Sequence, residues 1–432
     1  MYYYSTSNQE IRSTLKEAVL KGLAPDSGLY MPSSFPVLDR NNLESFLEMD
    51  LQEIAVVLSW MLFRNEVPEP DLIRLTKEAI NFDTPLVQVE DGMYSLELFH
   101  GPTLAFKDVG ARFLARLLGY FTGELDQEIH VLVATSGDTG SAVANGFLGV
   151  EGTRVHVLYP SGGVTALQEK QFTTLGNNIS ALEVDGSFDD CQRLVKEAFM
   201  DEELREQMLL TSANSINLAR FLPQAFYYFR AWAQLPPNTR AFFSVPSGNY
   251  GNMTAGLVAR EMGLPVHSFL SVNNLNDVVA SYLQTGRFEP RASTPTIANA
   301  MDVGDPSNFV RILDLFRQNH QWLTEHLKGY SYSDEEIRET IGEVHKRTAY
   351  LLDPHGATGY RAAQEYRKVH PELTGIVLET AHPAKFKETV EEVIQEQVEI
   401  PERLAAFAQR EKEAVFLRPD YKEFRKYLQK NI

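Results

Sequence analysis

The sequence of 432 residues contains little cysteine, no excess of positive charge and no long apolar run. Its one cysteine, Cys191, excludes an internal disulfide. No His or Asn motif surrounds that cysteine in the helix-like run SFDDCQRLVKEAF, so we expect a packing residue. The 40 Lys and Arg residues against 58 Asp and Glu give a formal net charge of −18. This charge argues against nucleic acid or an anionic membrane surface as a partner.

Signals for membrane insertion or secretion are also missing. No apolar stretch approaches the roughly 20 residues that cross a bilayer. The first residues, MYYYSTSNQE, have neither a basic start nor an apolar run, and we expect a cytoplasmic protein. The 10 histidines form no HExxH motif and no Cys/His cluster, so the sequence predicts no metal site.

Hydrophobic residues make up 44% of the chain and charged residues 23%, a composition typical of globular proteins. The first ninety or so residues have apolar positions at helical spacing and predict a mostly helical unit that ends near Pro85. Beyond it, short β-rich runs alternate with amphipathic helices, as in EIHVLVAT, TRVHVLYP, ISALEVDG, RAFFSVP, VHSFLSVN and GIVLET. This alternation predicts an α/β fold, because each parallel strand pair needs a crossover helix.

Two glycine-bearing loops follow predicted strands, where ligands of parallel sheets bind. VPSGNYGN, residues 245–252, would turn backbone N–H groups toward an anion at a helix start, or would simply be a tight turn with an N-cap. ATSGDTGSA, residues 134–142, has the same plan, although alone it is typical of a capped helix. Neither loop is a dinucleotide fingerprint or a P-loop.

A third segment, LFHGPTLAFKDVGARFLARLL, places Lys107 after an apolar run and at the start of a helix. Desolvation and the positive end of the helix dipole would both lower the pKa of that lysine toward the range of a nucleophilic amine. Such a lysine can form a Schiff base. The alternative at this stage is an exposed lysine on a surface helix.

Five motifs occur in one order along the chain, namely GPTLAFKD, ATSGDTGSA, NSINLAR, VPSGNYGN and ETAHPAKFKE. Together they resemble the threonine synthases, a family of tryptophan-synthase-β-like pyridoxal-phosphate enzymes. The resemblance covers residues 80–390, and the segments YYSTSN and SGLYMP near the start also fit it. It implies fold type II, with two open, twisted, mostly parallel sheets covered by helices and a helical N-terminal unit.

The resemblance also implies where the cofactor, pyridoxal 5′-phosphate, would bind. Lys107 matches the lysine that forms the Schiff base, and Thr380 matches the hydroxyl residue that faces the pyridine nitrogen. Asp138 falls near the cofactor 3′-hydroxyl, where related enzymes use Asn, and this contact requires a proton on one of the two oxygens. The phosphate would lie on the glycine loop formed by Gly248, Asn249, Tyr250, Gly251 and Asn252.

For the substrate, the resemblance implies O-phospho-L-homoserine, which reacts with water to give L-threonine and phosphate. The residues implied for the substrate phosphate are Asn214, Ser215 and Arg220, with Ser136 and Thr139 as helpers. A guanidinium is well shaped for a bidentate phosphate contact, although most arginines are solvated surface residues. The reaction is a γ-elimination followed by a β-replacement, and it is the last step of threonine biosynthesis.

The predicted organisation has three units. Residues 1–90 form the N-terminal unit, 91–110 with 225–432 a large cofactor-binding unit, and 111–224 a small mobile unit. We expect a monomer or homodimer that acts on a small molecule. Two alternatives remain: a lyase or dehydratase that releases a keto acid, and a binding homologue without catalysis. Arg220 argues against a plain dehydratase, and Lys107 with the glycine loop argues against a silent homologue.

Overall fold

The structure, a computed structural model, describes residues 1–123, 125 and 127–431, and these residues form three β-sheets and a set of covering helices. The strands are β1 (Tyr3–Ser5), β2 (Arg12–Ser13), β3 (Tyr30–Pro32), β4 (Leu86–Glu90), β5 (Met93–Glu97), β6 (Ile129–Ala134), β7 (Thr153–Pro160), β8 (Ile179–Val184), β9 (Leu209–Ser212), β10 (Ala241–Pro246), β11 (Phe269–Asn273), β12 (Leu327–Ser331), β13 (Thr374–Glu379) and β14 (Val415–Leu417).

The helices are α1 (Leu15–Lys21), α2 (Arg40–Ser45), α3 (Leu51–Phe63), α4 (Glu69–Ala79), α5 (Lys107–Thr122), α6 (Asp138–Phe147), α7 (Ala166–Thr173), α8 (Phe188–Met200), α9 (Glu202–Gln207), α10 (Leu218–Phe221), α11 (Ala225–Ala233), α12 (Gly251–Glu261), α13 (Val278–Thr285), α14 (Phe309–Leu315), α15 (His320–His326), α16 (Asp334–Thr348), α17 (Pro354–Val369), α18 (Lys387–Ile394), α19 (Glu402–Ala408) and α20 (Tyr421–Gln429). Short 3₁₀ turns join several of them.

The N-terminal region contains helices α1 to α4, as its apolar spacing predicts. Thr14 and Asp50 begin α1 and α3 with capping boxes, in which the Glu three residues later returns a hydrogen bond to the cap. The region also contains a small antiparallel sheet in the order β2-β1-β3, which the sequence did not predict. Its strands are only two or three residues long, too short to give a period-2 pattern.

The larger of the two main sheets has six strands in the order β12-β11-β10-β13-β5-β4. Its strand pairs are parallel except for the β4–β5 hairpin at one edge. The smaller sheet has five parallel strands in the order β14-β8-β7-β6-β9. The predicted α/β fold with mostly parallel sheets under helices is therefore confirmed.

The C-terminal segment departs from the predicted division of the chain. The sequence assigned residues 225–432 to the large unit, whereas β14 pairs with β8 and α20 packs on α8 of the smaller sheet. Phe424 and Leu428 of α20 lie in the same core as Cys191. Cys191 is fully buried there, which raises the pKa of its thiol, and its predicted role as a packing residue is confirmed.

Both main sheets direct the carboxyl ends of central strands toward a shared region. Ser136 and Thr139 follow β6, the glycine loop follows β10, and Thr380 follows β13. Side chains from all three segments line one cavity. Among the described residues, no helix combines the length and the apolar character that a bilayer span requires.

Candidate active site

Lys107 is the first residue of α5, and its position is fixed by hydrogen bonds on both sides. The Asp108 carboxylate accepts from the Thr103 backbone N–H at 2.8 Å and from its hydroxyl at 2.7 Å. The Phe106 N–H donates to the carbonyl of Thr380 at 2.9 Å, which ties the lysine segment to the end of β13. Lys107 therefore enters the cavity from a rigid helix start.

The surroundings of Lys107 favour the neutral amine. Burial among protein atoms lowers the pKa of Lys107 to about 8. The Asp138 carboxylate acts to raise that pKa, while the Lys385 and Arg220 cations act to lower it further. Its Nζ lies 5.3 Å from the ring centroid of Phe106. About a tenth of this amine is thus uncharged and nucleophilic at neutral pH, far more than for a lysine in water.

The glycine loop lies between β10 and α12, and all five of its predicted residues line the cavity together with Lys107, namely Gly248, Asn249, Tyr250, Gly251 and Asn252. Tyr250 has φ +62, and its buried hydroxyl contacts Ser271 at 2.8 Å and Asn273 at 2.7 Å. A Cβ on Gly248 would lie 2.5 Å from the carbonyl oxygen of Ala300. The loop therefore needs glycine, and it presents the start of an 11-residue helix to the cavity.

The second glycine-bearing loop places Ser136 and Thr139 in the cavity wall. The Thr135 hydroxyl fixes it by accepting the N–H groups of Gly137 at 2.9 Å and Gly140 at 2.7 Å. Gly137 has φ +131, a conformation that strongly favours glycine. The loop is thus both a capped helix start and part of the cavity.

Asp138 does not line the cavity, although its charge acts on Lys107. Its carboxylate contacts Lys385 Nζ at 2.6 Å and accepts from Gln168 Nε2 at 2.9 Å. Burial alone would raise the pKa of Asp138, yet the Lys385 and Lys107 cations hold it well below its usual range. Asp138 is therefore an anion here, and its predicted contact with the cofactor 3′-hydroxyl stays a prediction. Lys385 had no signal of its own in the sequence.

The predicted substrate residues Asn214, Ser215 and Arg220 all line the same cavity. Arg220 is 2% exposed, and its Nη1 donates to the Lys107 carbonyl at 2.9 Å. Its Nε has no hydrogen-bond partner among the described residues, and no described carboxylate lies within ion-pair distance of it. Burial lowers the pKa of Arg220 to about 10, which leaves it a cation at neutral pH. An unpaired buried cation suits an anionic ligand.

The sequence did not reveal every part of the site. Ala300, Met301 and Val303 line the cavity, although no motif in the sequence singled them out. The His355 Nε2 accepts the Ala300 N–H at 3.2 Å, so its Nδ1 donates to Asp353 at 2.5 Å. His355 lies in a segment that fits the family, yet a single His after Asp-Pro carries no sequence signal for a contact 55 residues away.

The residues that line the cavity can be compared with the groups that a phosphate-bearing aldehyde needs for binding. A partly neutral lysine, a helix start with close-approach glycines, and the hydroxyl of Thr380 face one cavity. An amine that forms a Schiff base and a backbone cradle for phosphate are the two groups that pyridoxal 5′-phosphate requires. The residues therefore fit this cofactor. Within residues 1–123, 125 and 127–431, no His, Cys, Asp and Glu cluster suits a metal ion.

Comparison with known proteins gives the same assignment. The family model described as pyridoxal-phosphate dependent enzyme matches residues 80–378. Models of the threonine synthase N terminus and C-terminal region match residues 2–80 and 356–428. The chain is thus a pyridoxal-phosphate-dependent enzyme with two mostly parallel sheets covered by helices.

Individual relatives narrow the assignment. The chain is 44% identical to the threonine synthase of Haemophilus influenzae, with 100% of both chains covered. The crystal structure of threonine synthase from Escherichia coli has a TM-score of 0.94 at 41% identity over 100% of both chains. The pyridoxal-phosphate-bound threonine synthase of Brucella melitensis has a TM-score of 0.92 at 34% identity, covering 100% of this chain and 99% of that one. This chain belongs to the threonine synthase family.

Proposed function

We propose that the cavity around Lys107 converts O-phospho-L-homoserine and water into L-threonine and phosphate. The observation that carries this proposal is the shared cavity: a partly neutral lysine, a glycine loop and an arginine without an acidic partner all face it. Bound pyridoxal 5′-phosphate supplies the electron sink that permits proton removal beside the substrate amino group.

Lys107 serves as the covalent anchor of the cofactor and, when displaced by the substrate amine, as the general base. Its lowered pKa makes the neutral amine available to take a proton from Cα and then from Cβ. The phosphate then leaves from Cγ with the C–O bonding pair, and a proton returns to Cγ. The hydroxyl of water adds to Cβ, a proton returns to Cα, and the remaining proton leaves with the phosphate. The amine on a rigid helix start holds the protons that are exchanged between these carbons.

The remaining residues hold the two phosphates apart. The glycine loop with Gly248, Asn249, Tyr250, Gly251 and Asn252 would bind the cofactor phosphate at the start of α12. Thr380 would face the pyridine nitrogen with a neutral hydroxyl. The substrate phosphate would bind Arg220, whose free Nε and buried charge favour it, with the neighbouring polar side chains of Ser136, Thr139, Asn214 and Ser215.

Further parts of the proposal concern the whole chain. We infer that residues 111–224, with β14 and α20 packed on them, act as a small unit that closes over the substrate and excludes water, which would otherwise intercept the reaction. The net charge of −18 supports the absence of a nucleic-acid partner. A cytoplasmic location is proposed as well. The oligomeric state is proposed as monomer or homodimer.

The direct test supplies O-phosphohomoserine to the purified, cofactor-loaded protein and measures threonine, keto acid and phosphate separately. Equal amounts of threonine and phosphate are expected. Phosphate with keto acid and no threonine would support the lyase alternative, because elimination would then proceed without water addition. If no phosphate is released, both enzymatic proposals are wrong.

The glycine loop gives a prediction about cofactor affinity. Gly248→Ala should raise the dissociation constant of the cofactor about tenfold, because the added Cβ would lie 2.5 Å from the Ala300 carbonyl and displace the loop. Gly342→Ala is the matched control, since its Cβ would make an ordinary 3.4 Å contact with Val393. Absorbance titration measures both variants, and equal affinities would contradict the role of the loop.

Lys385 gives a prediction about pH. The neutral form of Lys107 is the active one, so kcat should fall as the pH drops through the pKa of this lysine. Lys385→Met removes a cation that lowers this pKa and leaves the Asp138 carboxylate to raise it. The acid limb of the kcat profile should therefore move to higher pH. Asp138→Asn should move it to lower pH.

The matched control for this prediction is Lys387→Met. Lys387 lies two residues further along and pairs with Glu391 at the surface, away from the cavity. Its removal should leave the pH profile unchanged. An acid limb that stays in place in Lys385→Met would show that the buried pair does not influence Lys107.

A further inference from the structure

Arg311 is a fully buried arginine on α14 that no sequence motif singled out. Its Nε and Nη2 donate to the carbonyl of Tyr30 at 3.2 and 3.0 Å, and its Nη1 donates to the Asn308 side-chain oxygen at 2.6 Å. Nη1 also donates to the Ser215 carbonyl at 3.1 Å, and Nη2 to the Ile216 carbonyl at 2.7 Å. One guanidinium thus joins the N-terminal region to the segment 214–217.

The charge of Arg311 has no acidic partner. Every acceptor that it contacts is a neutral carbonyl or amide, and no carboxylate of the described residues forms an ion pair with it. Burial lowers the pKa of Arg311 to about 9, so it remains a cation at neutral pH. The guanidinium carbon lies 4.2 Å from the ring centroid of Phe221. An uncompensated buried cation is costly unless an anion binds nearby.

Asn308 connects Arg311 to the glycine loop on the cofactor side of the cavity. Its Nδ2 donates to the Ser215 hydroxyl at 2.9 Å and to the Asn249 carbonyl at 2.9 Å. Its backbone N–H donates to the same Asn249 carbonyl at 3.2 Å. Ser215 and Asn249 both line the cavity, one on the proposed substrate side and one on the glycine loop. Arg311 and Asn308 therefore bridge the two halves of the site.

We propose that Arg311 is a positioning residue that sets the segment 214–217 and the glycine loop relative to each other and adds positive potential for the phosphorylated substrate. The inference rests on the proposed function, in which these two elements bind the substrate phosphate and the cofactor phosphate. Arg311 does not itself line the cavity, and it acts through Ser215 and Asn308.

The experiment compares Arg311→Met and Arg311→Lys with Arg230→Met in the cofactor-loaded enzyme. Arg230 is the matched control, because it also joins α11 to the N-terminal region, through Asp83 at 2.7 Å and the Met49 carbonyl at 3.0 Å, but has no link to either loop. The measurements are KM and kcat for O-phosphohomoserine, the cofactor dissociation constant and Tm.

Arg311→Met should raise KM by about 10-fold to 100-fold and weaken cofactor binding several-fold, since small displacements of binding groups cost that much. Arg311→Lys keeps the charge but loses the forked donors, so its KM should lie between those of wild type and Arg311→Met. Arg230→Met should lower Tm and leave KM unchanged. Should Arg311→Met fail to fold, Arg311→Lys with a raised KM and a near-normal Tm still supports the inference.

Other outcomes separate this inference from the proposed function. If both Arg311 variants keep the wild-type KM and cofactor affinity and only lower Tm, as Arg230→Met does, the inference is wrong while the proposed function stands. A fall in kcat with KM unchanged would also overturn it. If the wild type releases no phosphate from O-phosphohomoserine, the proposed function is wrong. The role of Arg311 in positioning the glycine loop can still be tested in that case, and an unchanged cofactor affinity in Arg311→Met would overturn it.

Discussion

Lys107→Ala should reduce the rate of threonine formation by about four orders of magnitude or more. The change removes the covalent anchor of the cofactor and the base that moves protons at the substrate carbons, and a positioned base alone contributes about 10²- to 10⁴-fold. The visible absorbance that the cofactor shows when joined to a lysine should disappear with it. The measurements are kcat for threonine formation and the absorption spectrum of the purified variant.

Lys107→Arg is the control for charge in that experiment. It restores a cation of similar length that is not a nucleophile, so it should be as inactive as Lys107→Ala. The Tm of each variant shows whether it folds. Lys107 is fixed by its place at the start of α5 and forms no ion pair among the described residues, so its replacement removes no salt bridge. A variant without Lys107 that keeps the visible band and the turnover would refute the assignment of this residue.

Arg220→Ala should lower kcat/KM for O-phosphohomoserine by about two to three orders of magnitude, mainly through KM. Truncating one partner of a buried, hydrogen-bonded charge pair costs about 2–5 kcal/mol, and each 1.4 kcal/mol is tenfold. Inhibition by inorganic phosphate, which competes for the same site, should weaken in parallel. Arg220→Lys should lose less, because it keeps the charge without the fork.

Arg116→Met is the matched control for Arg220. Arg116 lies on α5, contacts the Gly146 carbonyl at 3.2 Å and Glu78 at 3.5 Å, and does not line the cavity. The Arg116→Met substitution should leave the KM for O-phosphohomoserine and the inhibition by phosphate unchanged. If Arg220→Ala loses kcat but keeps both KM and phosphate inhibition, its effect would come from the bond to the Lys107 carbonyl instead of a phosphate contact.

The strands that the sequence predicted and those that it missed differ in burial. The predicted strands β6 and β10 are buried at every residue, because central parallel strands have helices on both faces and read as continuous apolar runs. The missed strands of the two main sheets are the edge strands β4, β9, β12 and β14 and the inner strand β5 next to β4, and all five have intermediate or exposed residues. Their sequences, such as LKGYS and VFL, are too short or too mixed in polarity to show the alternation of apolar and polar residues that is typical of a strand.

The sequence by itself determined the α/β class, the lysine at a helix start and the two glycine-bearing loops, because each depends on local spacing and on residues next to one another in the chain. Only the tertiary structure decided that Asp138 pairs with Lys385, that His355 holds the Ala300 wall and that Arg311 joins the N-terminal region to the site. These contacts span 55 to 281 residues, and they form where a buried charge or polar group must find a partner that folding brings near.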